Sequence, residues 1–271
     1  MKKIIVIGLW AITLTGLVVV MSFAARSHET RVCTKLNIEI SRKCADLFIT
    51  EESMQQLLQE HDSSPEGKAL AYLDVAALEN LFLSHPAVEE CNVFTTVAGE
   101  VNIRLLQRKP IARLINQAGE SYYIDDKGLL MPWSDQYTAP VLVVNGSFNE
   151  TYGAFYQARL GSVSIDSTLK SVNLLDDIWQ IAKRVEADSF LRAQIVQCHI
   201  TPQREFMLIP RIGDHSILFG NAADADEKFE KLIIFYREGL NRSGRWNDYS
   251  MISLQFKNQV VCTKKKNSHG I

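Results

Sequence analysis

The chain opens with an uncharged apolar run from Ile4 to Ala25, and nothing later in its 271 residues could cross a bilayer. As an α-helix rising about 1.5 Å per residue, a run of this length extends roughly 33 Å, which exceeds a hydrocarbon core of about 30 Å. We therefore predict a cytoplasmic tail at residues 1–3 and a single transmembrane helix at residues 4–25. The rest of the chain is then expected to work on the far side of the membrane.

A cleaved signal peptide is the alternative interpretation of this run. The apolar part of a signal peptide usually spans about 7–15 residues, which is shorter than the run observed, although Ser22-Phe23-Ala24 resembles a small-x-small cleavage site. Lys2 and Lys3 precede the run and Arg26 and Arg31 follow it, so the positive-inside bias for a cytoplasmic N-terminus is slight. The length of the run favours a retained anchor.

Composition argues against several classes of function. The chain is 46% hydrophobic and 22% charged with a net charge of −2, which excludes a disordered tail and gives no electrostatic reason to expect a nucleic-acid partner. The sequence contains no phosphate-binding loop and no nucleophile elbow. Its histidines lack the spacing of metal ligands: His28, His61, His85, His199, His215 and His269. We predict no cofactor, no metal site and no catalytic residue.

The five cysteines are scattered without a CxxC pair, so they predict neither a zinc site nor a disulfide framework. Buried thiols are the favoured interpretation, and a Cys33–Cys44 bridge in an oxidising compartment is the alternative. The remaining cysteines are Cys91, Cys198 and Cys262.

The first segment after the apolar run predicts a small α+β unit. Val32–Ile40 alternates apolar and polar residues, which indicates a strand with one buried face. Thr50 and Asp74 stand at N-cap positions of two short amphipathic helices, and Pro86 prevents continuation of the second. Two strands then follow, Val88–Thr96 and Val101–Gln107. The order β-α-α-β-β over residues 26–109 predicts two helices packed on one face of a three-stranded sheet.

The second segment, residues 110–263, predicts a β-rich domain with two long helices. The first helix is predicted over Leu169–Asp188, and the second begins at a capping box formed by Asp224 and Glu227 and ends near Gly239. The predicted strands are Ser121–Ile124, Leu129–Met131, Val141–Val144, Gln194–Ile200, Glu205–Pro210, Ser216–Gly220 and a final extended stretch, Met251–Cys262, interrupted near Asn258.

Several of these motifs together resemble a known family. The stretch Gln107–Arg113, then Tyr122–Asp125 with Gly128, then Met131-Pro132, is similar to the domain junction of the bacterial cell-division family FtsQ/DivIB. Met251–Val261 resembles the final strand of that family. The β-α-α-β-β unit behind a membrane helix resembles a POTRA domain, the polypeptide-transport-associated module, and the order of all parts matches the family.

The resemblance implies a non-catalytic scaffold of the bacterial divisome. It implies a single-pass protein of the inner membrane at the division site, with its N-terminus in the cytoplasm and its bulk in the periplasm. The expected partners are the small bitopic proteins FtsB and FtsL. No nucleic acid is expected to bind.

The resemblance also implies where the partner binds. In this family FtsB adds a strand to a sheet edge at the end of the β domain, a mode in which backbone hydrogen bonds give affinity and side-chain pockets give selectivity. Carried over by motif, the edge and its contact residues lie within Leu254–Cys262: Leu254, Phe256, Asn258, Val260, Val261 and Cys262. Phe256 is expected to be an aromatic anchor, and the alternative is that it belongs to the core.

The basic tail at residues 264–271 begins with Lys264-Lys265-Lys266. It is expected to be solvated and to protect the neighbouring sheet edge from aggregation. Contact with an acidic partner is the alternative.

The resemblance suggests a second partner surface on the POTRA unit, around Glu90 and Val93. The alternative is that these two residues belong to an ordinary half-buried strand. Arg113 and Asp125, at the junction, are expected to have structural roles that tie the two domains together.

Two other functions are compatible with parts of the sequence. Ser167-Thr168-Leu169-Lys170 matches the S-x-x-K pattern of penicillin-recognising acyl enzymes, with Ser167 as nucleophile beside Lys170, but the companion S-D-N and K-T-G signatures are absent. The chain could also be a secreted or membrane-anchored binding module that acts outside cell division.

Overall fold

The computed structural model describes residues 10, 13–19, 31–42, 48–134, 137–156, 160 and 170–265, except for the side chains of residues 170–173. No helix in this part of the chain is both long enough and apolar enough to span a bilayer. Of the predicted transmembrane helix, Trp10 and residues 13–19 are described and are helical, and the rest lies outside the described residues together with the predicted tail at 1–3. The chain forms two compact units, the first ending at Gln107 and the second beginning at Arg108.

The first unit is a three-stranded sheet with two helices, in the β-α-α-β-β order predicted from the sequence. Its strands have the spatial order β1-β3-β2, in which β1 runs parallel to β3 and β2 antiparallel to it. The elements are β1 (Lys35–Arg42), α1 (Glu51–Glu60), a 3-10 turn (Leu70–Tyr72), α2 (Val75–Leu83), β2 (Val88–Thr95) and β3 (Glu100–Gln107).

Both predicted N-caps are present in the first unit. The Thr50 hydroxyl accepts from the Ser53 N–H at 3.2 Å, and the Ser53 hydroxyl accepts from the Thr50 N–H at 3.0 Å. Asp74 accepts from the Ala77 N–H at 2.9 Å. These bonds satisfy N–H groups that the first helical turn leaves without intrahelical partners. Each helix then buries a pair of apolar residues spaced four apart: Met54 and Leu58 in α1, and Leu78 and Phe82 in α2.

The second unit is built on a nine-stranded mixed sheet. Its strand order is β12-β11-β10-β9-β8-β7-β4-β5-β6, so β12 and β6 are its two edges. The strands are β4 (Pro110–Ile115), β5 (Ser121–Asp125), β6 (Leu130–Pro132), β7 (Leu142–Gly146), β8 (Ile195–Ile200), β9 (Phe206–Pro210), β10 (Ser216–Gly220), β11 (Tyr249–Ser253) and β12 (Val261–Lys264). The helices are α3 (Tyr152–Phe155), α4 (Lys170–Ala187), α5 (Ser189–Gln194), α6 (Ala225–Ile234), a π-helical segment (Phe235–Leu240) and α7 (Asn241–Ser243).

The two long helices supply the core of this unit, as the helical periodicity predicted. Leu175, Ile178 and Ala182 of α4, with Phe229 and Leu232 of α6, are buried in one cluster with alternate residues of the sheet. The sheet residues in that cluster include Leu114, Val144, Leu208, Ile217, Phe219 and Ile252. The core therefore lies on the helix-covered face.

Two helix predictions in this unit were wrong, and one strand, β4, was not predicted. β4 starts at Pro110, and proline is tolerated as the first residue of a strand, where its missing N–H costs little. The predicted capping box is absent, because Asp224 has φ +53 and its side chain makes no capping bond. The helix also continues past Gly239 to Ser243, through the π-helical segment.

The predicted final stretch, Met251–Cys262, is divided into two strands, and the interruption predicted near Asn258 is the turn between them. β11 runs parallel to β10, and β12 returns antiparallel to β11 after a turn in which Asn258 has φ +60. Asparagine tolerates the left-handed conformation better than most residues, which accounts for the turn at this position. The edge strand is accordingly Val261–Lys264.

Candidate functional site

The last strand, β12, forms one edge of the nine-stranded sheet. It pairs antiparallel with β11, where Cys262 lies opposite Ile252 and Val261 opposite Ser253. On its other side, no strand within the described ranges pairs with it. An edge strand of this kind presents a row of backbone N–H and C=O groups to which another chain can pair.

The hydrogen bonds of β12 identify which residues face outward. The Lys265 N–H donates to the Asp248 carbonyl at 2.9 Å, on the β11 side. Successive residues of a strand direct their backbone groups to opposite edges, so Thr263 and Val261 also face β11. Cys262 and Lys264 therefore direct their backbone N–H and C=O groups to the open edge.

The side chains of this segment combine apolar and exposed positions. Val260 and Cys262 are half-buried and pack against the core, whereas Val261 is 41% exposed. Burial raises the pKa of the Cys262 thiol, which keeps it neutral. Thr263 and Lys264 are exposed. The edge strand is therefore short, and its apolar side chains are Val261 and Cys262, with Val260 directly before it.

The six residues predicted as the partner site do not form one strand. Leu254 is fully buried and its N–H donates to the Leu218 carbonyl at 2.9 Å, so it continues the pairing with β10 inside the sheet. Phe256 and Asn258 lie in the turn between β11 and β12. Val260, Val261 and Cys262 lie on or directly before β12. The prediction of one edge from Leu254 to Cys262 is therefore wrong, because only Val261 and Cys262 of the six residues lie on the edge strand.

Phe256 is not part of the core. Its side chain is 47% exposed, and its carbonyl accepts from the Lys231 ammonium of α6 at 2.9 Å, which holds the turn against the helix. Thr263 and Lys264 also belong to the edge strand, although the predicted edge stops at Cys262 and the lysine run is predicted to be a solvated tail. The extended stretch continues for two residues beyond Cys262, and this continuation is the feature of the sequence that could have indicated them.

On the first unit, the predicted second partner surface includes one exposed residue, Glu90, and one buried residue, Val93. Both lie on β2, an edge strand of the three-stranded sheet. Glu90 is exposed, but Val93 is only 5% exposed, and its N–H donates to the Glu79 carboxylate at 2.9 Å. The side chain of Val93 therefore contributes to the core and not to a surface. Burial and the Glu79 charge raise the pKa of neighbouring Cys91 to about 12.

Asp125 and Arg113 have structural contacts within the second unit. Asp125 is fully buried; one of its carboxylate oxygens accepts from Arg108 at 2.8 Å, and the other accepts from the N–H groups of Lys127 and Leu129 at 2.9 and 2.7 Å. Arg113 donates to the Ser121 hydroxyl at 2.9 Å.

The described residues include only part of the alternative disulfide and acyl-enzyme sites. Cys33 is a buried free thiol, and Cys44 lies outside the described residues. Ser167 and the side chain of Lys170 also lie outside them. Across the described part of the chain, no cluster of three His, Cys, Asp or Glu side chains could hold a metal ion.

A buried polar pair lies near the end of β12. His215 is 3% exposed, and its Nε2 lies 2.8 Å from the Tyr236 hydroxyl, which the π-helical segment carries into the core. The adjacent Asp214 carboxylate accepts from Lys265, the residue after β12, at 2.9 Å. Burial is the largest effect on His215 and lowers its pKa, so the neutral imidazole is favoured in the fold.

This burial predicts a pH dependence of stability. Because the folded pKa of His215 is below its unfolded value of about 6.5, its contribution is complete above pH 6.5 and is lost as pH falls toward the folded pKa. The free energy of unfolding of the second unit is expected to fall by up to about 1.4 kcal/mol per pH unit below pH 6.5 from this group. Denaturant unfolding between pH 7.5 and 5.5 measures the slope. His215→Met should flatten it, and an unchanged slope would contradict the assignment.

Comparison with known proteins places both units. Residues 31–106 match the family model of the POTRA-like domain. Residues 109–263 match the family model described as FtsQ/DivIB, C-terminal related, which covers more than half of the chain. The chain is thus a protein with a POTRA-like domain followed by a β-rich domain. It belongs to the FtsQ/DivIB family of cell-division proteins, as the sequence resemblance predicted. No curated protein matches it.

Proposed function

We propose that this chain is a non-catalytic scaffold of bacterial cell division that binds FtsB- and FtsL-type bitopic proteins by strand addition to β12. Family membership supports the scaffold role. The observation that carries the binding mode is the edge of the nine-stranded sheet, where Cys262 and Lys264 direct their backbone groups outward. Strand addition uses such an edge directly, because each added residue pairs with groups already held in register.

The surroundings of β12 favour a partner strand with an apolar face. Val260 and Cys262 are half-buried on the helix-covered side, and Val261 is exposed on the other. Phe256 adds a half-exposed aromatic ring in the neighbouring turn. Aromatic and aliphatic side chains of this kind are the usual energetic centres of interfaces.

The proposal includes a location. The apolar run at residues 4–25 is the proposed single-pass anchor in the inner membrane, with residues 1–3 in the cytoplasm and both described units in the periplasm at the division site. Tethering by one helix would raise the effective concentration of partners held in the same membrane. Glu90 on β2 is proposed as the exposed part of a second partner surface.

Lys264→Pro tests strand addition. Proline removes the outward N–H of residue 264 while the inward bonds of β12 to β11 stay, and proline is tolerated on edge strands in this orientation. Loss of one backbone hydrogen bond costs about 0.5–1.5 kcal/mol, and the ring also obstructs the incoming strand. We expect binding of an FtsB-type partner to the full chain to weaken at least tenfold, measured as Kd by biolayer interferometry.

Lys264→Ala is the matched control. It removes the same side chain but keeps the N–H, so its Kd is expected to stay within about twofold of the unmodified chain, since exposed charges contribute little. Equal weakening by both substitutions would indicate a side-chain contact instead of a backbone ladder. Unchanged binding by Lys264→Pro would overturn strand addition at β12.

A further inference from the structure

A groove of about 260 Å³ opens on the second unit at the end of the sheet where β4, β7 and β8 begin. These three strands are parallel neighbours, so their first residues lie side by side. The last turn of α4 forms one wall. The lining is mainly aliphatic: Ile111, Leu142, Val143, Val185, Ile195 and Val196.

The rim of this groove is cationic. Glu186 is the single carboxylate among the described lining residues, and it accepts from Lys109 at 2.6 Å and from Arg192 at 3.2 Å. The negative charge of Glu186 is therefore paired with two positive charges. Arg192 is still 56% exposed on its side chain, so it can bind a second acceptor.

Arg211 adds an uncompensated charge to the rim. Its guanidinium is exposed and makes no hydrogen bond or ion pair with the part of the chain that the structure describes. Its backbone is fixed, because the Arg211 N–H donates to the Gln194 carbonyl at 2.6 Å and the Gln194 amide donates to the Ile212 carbonyl at 3.1 Å. The main chain thus holds Arg211 at the groove, while its side chain has no partner among the described residues.

The dimensions restrict what can occupy the groove. Sites for cofactors and other large ligands usually measure about 300–1,000 Å³, which is more than this groove provides. One branched aliphatic side chain with its neighbouring backbone fits the apolar floor, and a carboxylate next to it would reach the arginines, which bind carboxylates with a planar donor geometry.

We propose that this groove docks a short acidic–aliphatic segment of a partner protein, with the aliphatic side chain on the floor and a carboxylate on Arg211 and Arg192. The groove is separate from the β12 edge. Four strand spacings of about 4.8 Å, about 19 Å in all, lie between β8 on the floor of the groove and β12, and none of the described lining residues lies on β10, β11 or β12. The proposal therefore does not depend on strand addition at β12.

The test uses two fluorescein-labelled eight-residue peptides and the full chain in nanodiscs. One peptide has the central sequence Glu-Leu-Val-Glu, and the other has lysine in place of both glutamates. Fluorescence anisotropy is expected to show saturable binding of the acidic peptide only, weakened at least fivefold by 0.5 M NaCl because the contact is a surface charge pair. Binding of both peptides with equal affinity, or no binding up to millimolar concentration, would overturn the proposal.

Substitutions assign the binding to the groove. Arg211→Ala is expected to weaken the acidic peptide fivefold or more, and Arg242→Ala, which removes an exposed arginine from α7, should leave it unchanged. Lys264→Pro should also leave it unchanged. Weakening by Lys264→Pro, or an Arg211→Ala chain that binds as tightly as the unmodified one, would place the peptide elsewhere and refute the docking site.

Discussion

Replacing Asp125 with alanine is expected to lower the free energy of unfolding of the second unit by about 3–5 kcal/mol, the range for breaking a buried ion pair by removing one partner. Asp125 is fully buried, pairs with Arg108 at 2.8 Å and accepts from the N–H groups of Lys127 and Leu129. Alanine removes all three acceptor contacts and takes the paired carboxylate away from the Arg108 guanidinium, whose side chain is only 18% exposed. The three tryptophans of the second unit, Trp133, Trp179 and Trp246, report its unfolding by fluorescence.

Two further variants separate charge from hydrogen bonding. Asp125→Asn keeps an acceptor oxygen for the β5–β6 turn but not the charge, so a smaller loss of about 1–3 kcal/mol is expected. Arg242→Ala removes an exposed ion pair with Glu238 and should change stability by less than about 1 kcal/mol. If Asp125→Ala were as stable as Arg242→Ala, the buried pair would have no structural role and the interpretation of the junction would be wrong.

The first unit could be predicted in detail because its signals are local. Alternation in β1, the caps at Thr50 and Asp74, and the break at Pro86 act within a few residues, and each predicted element appears at nearly the expected bounds. The failed capping box at Asp224 has the opposite cause. Its sequence pattern is correct, but the chain enters α6 with Asp224 at φ +53 instead of the extended conformation usual at an N-cap, and the side chain makes no capping bond.

The position of the final segment could be predicted from the sequence, but the bounds of its strands could not. Partner binding there is a proposal, whereas the segment itself does end at an edge of the sheet, as predicted. Its division into β11 and β12 depends on a turn at Asn258, and the position of β11 beside β10 depends on a return of the chain through α6 and the π-helical segment. Parallel pairing between distant strands leaves no periodic signal in the sequence. The burial of Leu254 and Val93 is likewise decided by neighbours remote in the chain.

Gly146 is the position at which a single added methyl group is expected to do most damage to the sheet. It ends β7 opposite Ile200 of β8, with φ +119, a conformation that residues with a Cβ rarely adopt. A Cβ at this position would overlap the backbone oxygen and nitrogen of Ile200, and neither atom can rotate away. The β7–β8 pair joins β4–β7 to the five strands that end at β12. The substitution therefore acts on the connection between the core of the sheet and the proposed partner edge.

Gly146→Ala is expected to lower the free energy of unfolding by about 2–6 kcal/mol. Backbone strain accounts for about 1–3 kcal/mol, and crowding against Ile200 for about 1–3 kcal/mol more. Gly119→Ala is a control for strain alone, since Gly119 has φ +82 with no atom within 4 Å of an added Cβ, and Gly153→Ala has neither strain nor contact. Denaturant unfolding is expected to show Gly153→Ala as the most stable variant, Gly119→Ala as intermediate and Gly146→Ala as the least stable. For Gly146→Ala, the amount of bound partner should decline in proportion to the folded fraction. The Kd of the molecules that remain folded should be unchanged. If Gly146→Ala were as stable as Gly119→Ala, the close approach of the added Cβ to the Ile200 backbone would have no effect on stability, which would contradict the prediction.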